Sequence, residues 1–254
     1  MNDPIDLPPE ADSSIAKKWN KLLRRAGLFS YIPFVEIVFV AGSMAMGNAG
    51  EDSDFDLIIG TTTGRIFTAR AFCIFLFSSL GWRRKRGIEG KDARDMFCFS
   101  HFVTQEKYCL SGPYNGYWRK LYQSLVPIYG DSDLIQKFYD ANSIWIDLNR
   151  HCEACLPADR SFATKQSISQ RLPRSFQSLA MTEKRQARGI FENVLSGKLG
   201  NALERWLKNI QIKKIEKSLK TEKLYKPRII FNDSELEFHP HTKRIEEVLN
   251  KKEF

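Results

Sequence analysis

The sequence predicts an α+β fold, with a small mixed β-sheet and flanking helices, followed by a mostly helical region. Three short apolar segments of strand length lie in the first 110 residues and alternate with segments of helical periodicity. From residue 114 the pattern is helical to about residue 220, and two short apolar segments then predict a hairpin. We therefore expect a core over residues 13–110 and a helical region over residues 111–254 that ends in a small β-hairpin.

The first predicted element is a basic helix. Ser13 or Ser14 can cap its start and Gly27 can end it. Its apolar residues follow helical spacing and form one stripe: Ile15, Trp19, Leu22 and Leu23. The remaining positions are rich in Lys and Arg, so we expect the helix to pack on the core through its stripe and to turn its basic face to solvent.

Three strands and one helix complete the predicted core. Residues 35–41 are apolar and rich in β-branched side chains, which indicates a buried strand that leads into a short helical turn. Residues 55–59 form a second strand that stops at Gly60, and residues 61–80 form a helix with a long apolar face. The basic residues 83–86 then precede a third strand at residues 96–103. They form either a solvated loop or a contact to substrate phosphates or RNA.

The helical region offers fewer signals. Four apolar residues with helical spacing are expected to bury one side of a long helix: Leu199, Leu203, Trp206 and Ile210. Residues 228–231 and 236–238, separated by a polar turn, predict the closing hairpin.

Composition limits the class of protein. The 254 residues are 43% hydrophobic, an ordinary value for a folded chain, and 39 Lys and Arg against 30 Asp and Glu give a net charge of +9. That charge favours anionic partners, namely nucleotides, nucleic acid or an acidic membrane surface. Neither a secretory signal nor an apolar segment of roughly 20 residues is present, so we expect a cytoplasmic protein without stable membrane insertion. Five cysteines do not form a disulfide framework, and Cys73 and Cys98 are expected to be small buried hydrophobic residues.

Asp54 and Asp56 are the strongest candidates for chemistry. Residues two apart on a strand project from the same face, so the two carboxylates should lie side by side and repel each other unless a cation lies between them. Oxygen ligands suit Mg²⁺, which takes its other ligands from water and substrate phosphates. The first strand ends at Gly42 and Ser43, where free backbone N–H groups and a hydroxyl can hold a phosphate. Together these features indicate phosphoryl or nucleotidyl transfer.

This segment resembles the signature of the DNA polymerase β-like nucleotidyltransferase superfamily. In that signature a strand ends in Gly-Gly or Gly-Ser, and after a loop an Asp-hydrophobic-Asp or Asp-hydrophobic-Glu segment begins the next strand. Here ten residues separate Ser43 from Asp54. The resemblance implies that Gly42 and Ser43 bind the triphosphate of a nucleotide such as ATP, and that Asp54 and Asp56 hold Mg²⁺ or Mn²⁺. Weaker similarities elsewhere are to bacterial nucleotidyltransferase-like proteins.

The sequence departs from that superfamily at the third carboxylate, which the resemblance implies on a neighbouring strand as a metal ligand that helps activate the acceptor hydroxyl. The third strand contains none. Asp95 at its start is the best candidate and Asp92 the second, while Ser100 or His101 could occupy the equivalent place.

The expected function is metal-dependent transfer of a nucleoside monophosphate from an NTP to an acceptor. That acceptor is a small molecule, a protein or an RNA, and the sequence does not choose among them, name the base or give the oligomeric state. Two rival functions are a catalytically inactive nucleotide- or RNA-binding module and a metal-dependent phosphodiesterase or nuclease.

Two other metal sites are disfavoured. An EF-hand fails because Leu57 and Thr63 occupy the positions that need Gly and Glu. Zinc at Cys152 and Cys155 would lack a second pair of ligands, although His239 or His241 could supply one.

Overall fold

The computed structural model describes residues 13–85, 87–88, 90–112, 116–143, 181–219 and 228–239. Its strands are β1 (Val35–Val40), β2 (Phe55–Thr61), β3 (Phe97–Thr104), β4 (Val126–Gly130), β5 (Arg228–Phe231) and β6 (Glu235–His239). Its helices are α1 (Ser13–Ala26), α2 (Gly42–Ala45), α3 (Ile66–Ser79), α4 (Gly116–Gln123), α5 (Ser132–Ala141), α6 (Met181–Ser196) and α7 (Lys198–Leu219). The fold is α+β, as predicted.

The strands form one mixed sheet in the order β4-β1-β2-β3-β6-β5. The pair β2–β3 is parallel, because α3 carries the chain back across the sheet, and the other four pairs are antiparallel. Three of the six strands follow residue 110, so the sheet draws on both of the predicted regions, and the division at that residue stays a prediction. No described helix has the length and apolar character needed to cross a membrane.

Alternating side chains of the strands build a core on each face of the sheet. On one face, Val38 and Val40 of β1 pack in a cluster with residues of α1 and α3. On the other face, Ile37 and Phe39 pack in a cluster with residues of α4 and α5. The sheet is therefore covered on both sides, and its central strands β1, β2 and β3 are almost wholly buried.

Two elements differ from the prediction in instructive ways. Strand β2 continues through Gly60 to Thr61, and α3 begins only at Ile66. Gly60 does not end the strand. Its missing side chain leaves room for the side chain of Ile37, since a Cβ atom on Gly60 would lie 2.3 Å from it. Strand β4 was not predicted at all. It contains Pro127 and lies at the edge of the sheet, where a missing N–H donor is tolerated.

The predicted apolar face of α7 is wrong for two of its four residues, because Leu203 and Ile210 are half-buried but Leu199 and Trp206 are exposed. Leu199 and Trp206 are 76% and 59% exposed, whereas Glu204 and Gln211 are buried. The reason lies in α3, whose first backbone N–H groups have no partner within the helix. Glu204 accepts hydrogen bonds from the N–H groups of Phe67 and Thr68 at 2.9 and 2.7 Å, and α7 therefore turns this polar side chain inward.

Replacing Glu204 by Ala should lower the free energy of unfolding by about 2–3 kcal/mol, because buried donors at the start of α3 would lose a charged acceptor. Urea denaturation measures this loss. Leu199→Ala, on the exposed side of the same helix, is the matched control and should change stability by less than about 0.5 kcal/mol. Equal effects of the two substitutions would contradict the role assigned to Glu204.

Candidate active site

Strand β2 brings Asp54 and Asp56 together, as predicted. Phe55 and Leu57 are buried in the core, and the two half-buried aspartates project to the other side. A carboxylate oxygen of each aspartate and the Cys98 sulfur all lie within 4.8 Å of one another. Cys98 joins them because it is the residue of β3 paired with Asp56. Cys98 was expected to be a small buried hydrophobic residue, but it is half-buried and its sulfur lies beside the two carboxylates.

The two carboxylates strongly perturb each other. Burial first, and then the charge of Asp54, raise the pKa of Asp56 to about 7. Arg84 and a hydrogen bond from the Cys98 thiol act in the opposite direction but do not cancel these effects. Ionisation of Asp56 near neutral pH is therefore unfavourable in the folded protein, and a cation beside the carboxylate would make it favourable.

Gly42 lies directly against this carboxylate pair. It has a φ of +64°, and a Cβ atom on it would lie 2.2 Å from Oδ2 of Asp56. Glycine is thus required for the backbone conformation and for the approach of the carboxylate. The backbone N–H of Ala41 also donates to the Asp56 carbonyl at 2.9 Å, which fixes the end of β1 beside β2. Ser43 follows in α2 and is half-buried.

Arg84 supplies positive charge to the site. Its Nη1 lies 2.6 Å from Oδ2 of Asp54, and its Nε donates to the Ile88 carbonyl at 3.0 Å. The segment is held beside β3, since the Arg84 N–H donates to the carbonyl of Phe97 at 2.9 Å. A solvated loop and a contact to substrate phosphates or RNA both stay predictions for the basic residues 83–86, of which Arg84 is paired with Asp54.

The donor set fits a divalent cation. Two carboxylates and a thiol converge, and a guanidinium already balances part of their charge. The single positive charge of Arg84 compensates one of the two carboxylate charges, and a cation would compensate the other. Oxygen and sulfur ligands at this spacing are chemically able to coordinate a metal of the Mg²⁺, Mn²⁺ or Zn²⁺ type.

Asp95 is not part of this group among the described residues. Its buried carboxylate forms ion pairs with Lys18, at 2.7 Å, and with Lys21. Burial alone would raise the pKa of Asp95, but the hydrogen bonds from these two lysines outweigh it and lower the pKa. Arg25 adds a bond to the Asp95 carbonyl at 2.7 Å. Asp95 therefore fastens α1 to the start of β3.

The basic face of α1 is thus only partly in solvent, contrary to expectation. Lys18 is 7% exposed and also donates to the carbonyls of Glu51 and Ser53 at 2.7 and 2.8 Å, in the loop that leads to Asp54. Arg94, which precedes Asp95 in the sequence, forms an ion pair with Glu51 at 3.6 Å. The second candidate, Asp92, is exposed.

Ser100 and His101 do not occupy the place beside Asp56. Strand β3 contains one extra residue between the pairs Asp56–Cys98 and Ile58–His101, so the register cannot be obtained by counting along a regular strand. Burial and the charges of Asp56 and Asp54 raise the pKa of the Cys98 thiol, and the nearby Ser100 hydroxyl acts in the opposite direction.

His101 belongs to a second buried group. Its Nε2 lies 3.3 Å from Oε1 of Glu235, and its ring and the carboxylates of Glu235 and Glu237 offer ligand atoms within 4.8 Å of one another. Cys152, Cys155 and His241 lie outside the described residues, as does the side chain of His239.

Comparison with known proteins adds little to this picture. No protein-family model and no curated protein matches the chain. One solved structure, titled "Crystal structure of the toxin-antitoxin with AMP-PNP", is similar over 52% of this chain and 91% of that chain, at 16% identity and a TM-score of 0.30. A similarity of that size does not carry a functional assignment, which therefore depends on the chemistry of the site itself.

Proposed function

We propose that the chain is a divalent-metal-dependent nucleotidyltransferase, which moves a nucleoside monophosphate from an NTP to a hydroxyl acceptor and releases pyrophosphate. One observation supports this most directly. The Gly42 backbone touches the Asp56 carboxylate beside Asp54, so a turn suited to phosphate and a pair of metal ligands meet at one point. A nuclease would need the carboxylates but not this turn.

Each residue of the site has a role in this proposal. Asp54 and Asp56 hold Mg²⁺ or Mn²⁺, which when bound would neutralise charge on the triphosphate. The Gly42 turn and the Ser43 hydroxyl bind phosphate oxygens, and Arg84 contributes further positive charge beside them. The β2–β3 pairing holds Asp56 on rigid backbone, which fixes its position in the site.

A second candidate is an inactive module that binds a nucleotide or RNA without transferring it. Two observations favour it: the place beside Asp56 holds Cys98 rather than a carboxylate, and Asp95 is engaged by two lysines. An acceptor hydroxyl must lose a proton during transfer, and a third carboxylate is the usual aid.

Incubation with each α-labelled NTP, Mg²⁺ or Mn²⁺, and RNA, protein and small-molecule acceptors separates these functions. Transfer of label with release of pyrophosphate, absent in Asp54→Asn, supports the transferase. Metal-dependent NTP binding without transfer supports the binding module. Cleavage of an RNA or diester substrate without use of NTP would identify a phosphodiesterase.

Ser43→Ala should weaken NTP binding by about 1 kcal/mol or more, roughly fivefold in Kd, because one hydrogen bond to a charged phosphate is lost. Gly42 is a poorer test, since any side chain there displaces the Asp56 carboxylate. Isothermal titration calorimetry measures the change, with the exposed Ser79→Ala as control. Identical NTP affinities of the two variants would contradict the assignment of Ser43.

A further inference from the structure

Cys98 occupies the place beside Asp56 on the neighbouring strand, where the cation would need its third protein ligand. Its sulfur lies within 4.8 Å of a carboxylate oxygen of Asp54 and of a carboxylate oxygen of Asp56. This position follows from backbone pairing, since Cys98 and Asp56 are partners in the β2–β3 ladder. The sulfur is therefore held at the metal site by the sheet itself.

We propose that Cys98 is a ligand of the cation at this site, and that its sulfur makes the site prefer a borderline transition-metal dication over Mg²⁺. The inference rests on the proposed function in taking Asp54 and Asp56 as the other ligands. Mg²⁺ takes oxygen ligands in an octahedral shell, whereas sulfur favours softer ions such as Zn²⁺ and Co²⁺. The third ligand thus determines which ion the site selects.

The surroundings of Cys98 suit a metal ligand. The Ser100 hydroxyl lies near the sulfur, where an outer group can help to orient a coordinating residue. Arg84 places a positive charge near both Cys98 and Asp54, but burial and the charges of Asp56 and Asp54 dominate and raise the pKa of the Cys98 thiol. The thiol is therefore neutral until a cation displaces its proton. When the sulfur coordinates, its proton passes to solvent, so the ligand enters as a thiolate.

Co²⁺ gives a direct test, because a cobalt–thiolate bond produces a sulfur-to-metal charge-transfer absorption that carboxylates do not. The titration uses the full chain with Cys152→Ser and Cys155→Ser, so that the Cys-x-x-Cys pair cannot contribute. This parent protein, which retains Cys98, is compared with its Cys98→Ser variant and with its Cys109→Ser variant. The Cys109→Ser variant lacks an exposed thiol and is the control. Thermal shifts with Mg²⁺, Mn²⁺ and Zn²⁺ are measured in parallel on Cys98→Ser and Cys98→Asp.

The charge-transfer band should appear in the parent and in Cys109→Ser and should be absent in Cys98→Ser. Cys98→Asp should change the ratio of Zn²⁺ to Mg²⁺ affinities by about tenfold or more in favour of Mg²⁺, because a third carboxylate replaces sulfur. Metal stabilisation that requires Asp54 and Asp56, without a sulfur band and unchanged in Cys98→Ser, would overturn the inference and leave the proposed function intact. Absence of any metal response that depends on Asp54 would overturn both.

Discussion

Asp54→Asn and Asp56→Asn should each lower nucleotidyl transfer by about 1,000-fold or more, which corresponds to roughly 4 kcal/mol of the activation barrier. The neutral amide keeps the size of the side chain but removes the charge that attracts the cation. Neither side chain is part of the hydrophobic core, so both variants should remain folded. Initial rates with labelled NTP and a saturating metal ion measure the loss.

Asp92→Asn is the matched control for these substitutions, since Asp92 is exposed and lies outside the Asp54–Asp56–Cys98 group. It should retain full activity. Transfer that survives in both Asp54→Asn and Asp56→Asn would show that the reaction does not use this carboxylate pair.

Asp95→Asn should destabilise the fold by about 3–5 kcal/mol, because it leaves the buried ammonium of Lys18 without its anionic partner. The backbone contributes little to the loss: Asp95 has a φ of +58°, and Asn tolerates that conformation as well as Asp does. Chemical denaturation of the wild type and the variant near neutral pH measures the difference.

The pH dependence of that difference has a definite sign. The lysines lower the pKa of Asp95 in the folded state, so the stabilisation is present above the unfolded pKa, about 3.9. It is lost as the pH falls through the folded value, and wild type and Asp95→Asn should then converge. A variant of unchanged stability that has lost transfer would instead place Asp95 in the chemistry.

The regular elements of the core were predictable because each has a strong local pattern. The basic helix α1, the strands β1, β2 and β3 and the closing hairpin all follow from hydrophobic periodicity and turn residues. The proximity of Asp54 and Asp56 follows from the same physics, since residues two apart on a strand share a face.

Contacts between distant segments were not predictable in this way. The neighbour of Asp56 on β3 depends on a strand register that includes one extra residue, so the sequence pattern alone does not place Cys98 there rather than Asp95, Ser100 or His101. The buried face of α7 depends on the free N–H groups of α3 rather than on the spacing of its own apolar residues. Such contacts are decided by tertiary packing, which a single sequence does not encode locally.

The central claim, a cation held by Asp54 and Asp56, predicts that a metal reverses the order of stability of two proteins. With a chelator at pH 8, Asp56→Asn should be more stable than the wild type. The reason is that Asp56, whose pKa is raised to about 7, is ionised there beside Asp54. The folded state then binds more protons than the unfolded state between about pH 4 and 7, so wild-type stability falls as the pH rises through that range.

Thermal unfolding of both proteins at pH 8, with chelator and with Mg²⁺, Mn²⁺ or Zn²⁺, is the most direct measurement. At a metal concentration about 100-fold above Kd, the wild-type midpoint should rise by about 5–10 °C and exceed that of Asp56→Asn, whose midpoint should stay constant. Equal shifts of the two proteins with each of the three ions, or no shift of the wild type with any of them, would contradict a metal site at Asp54 and Asp56.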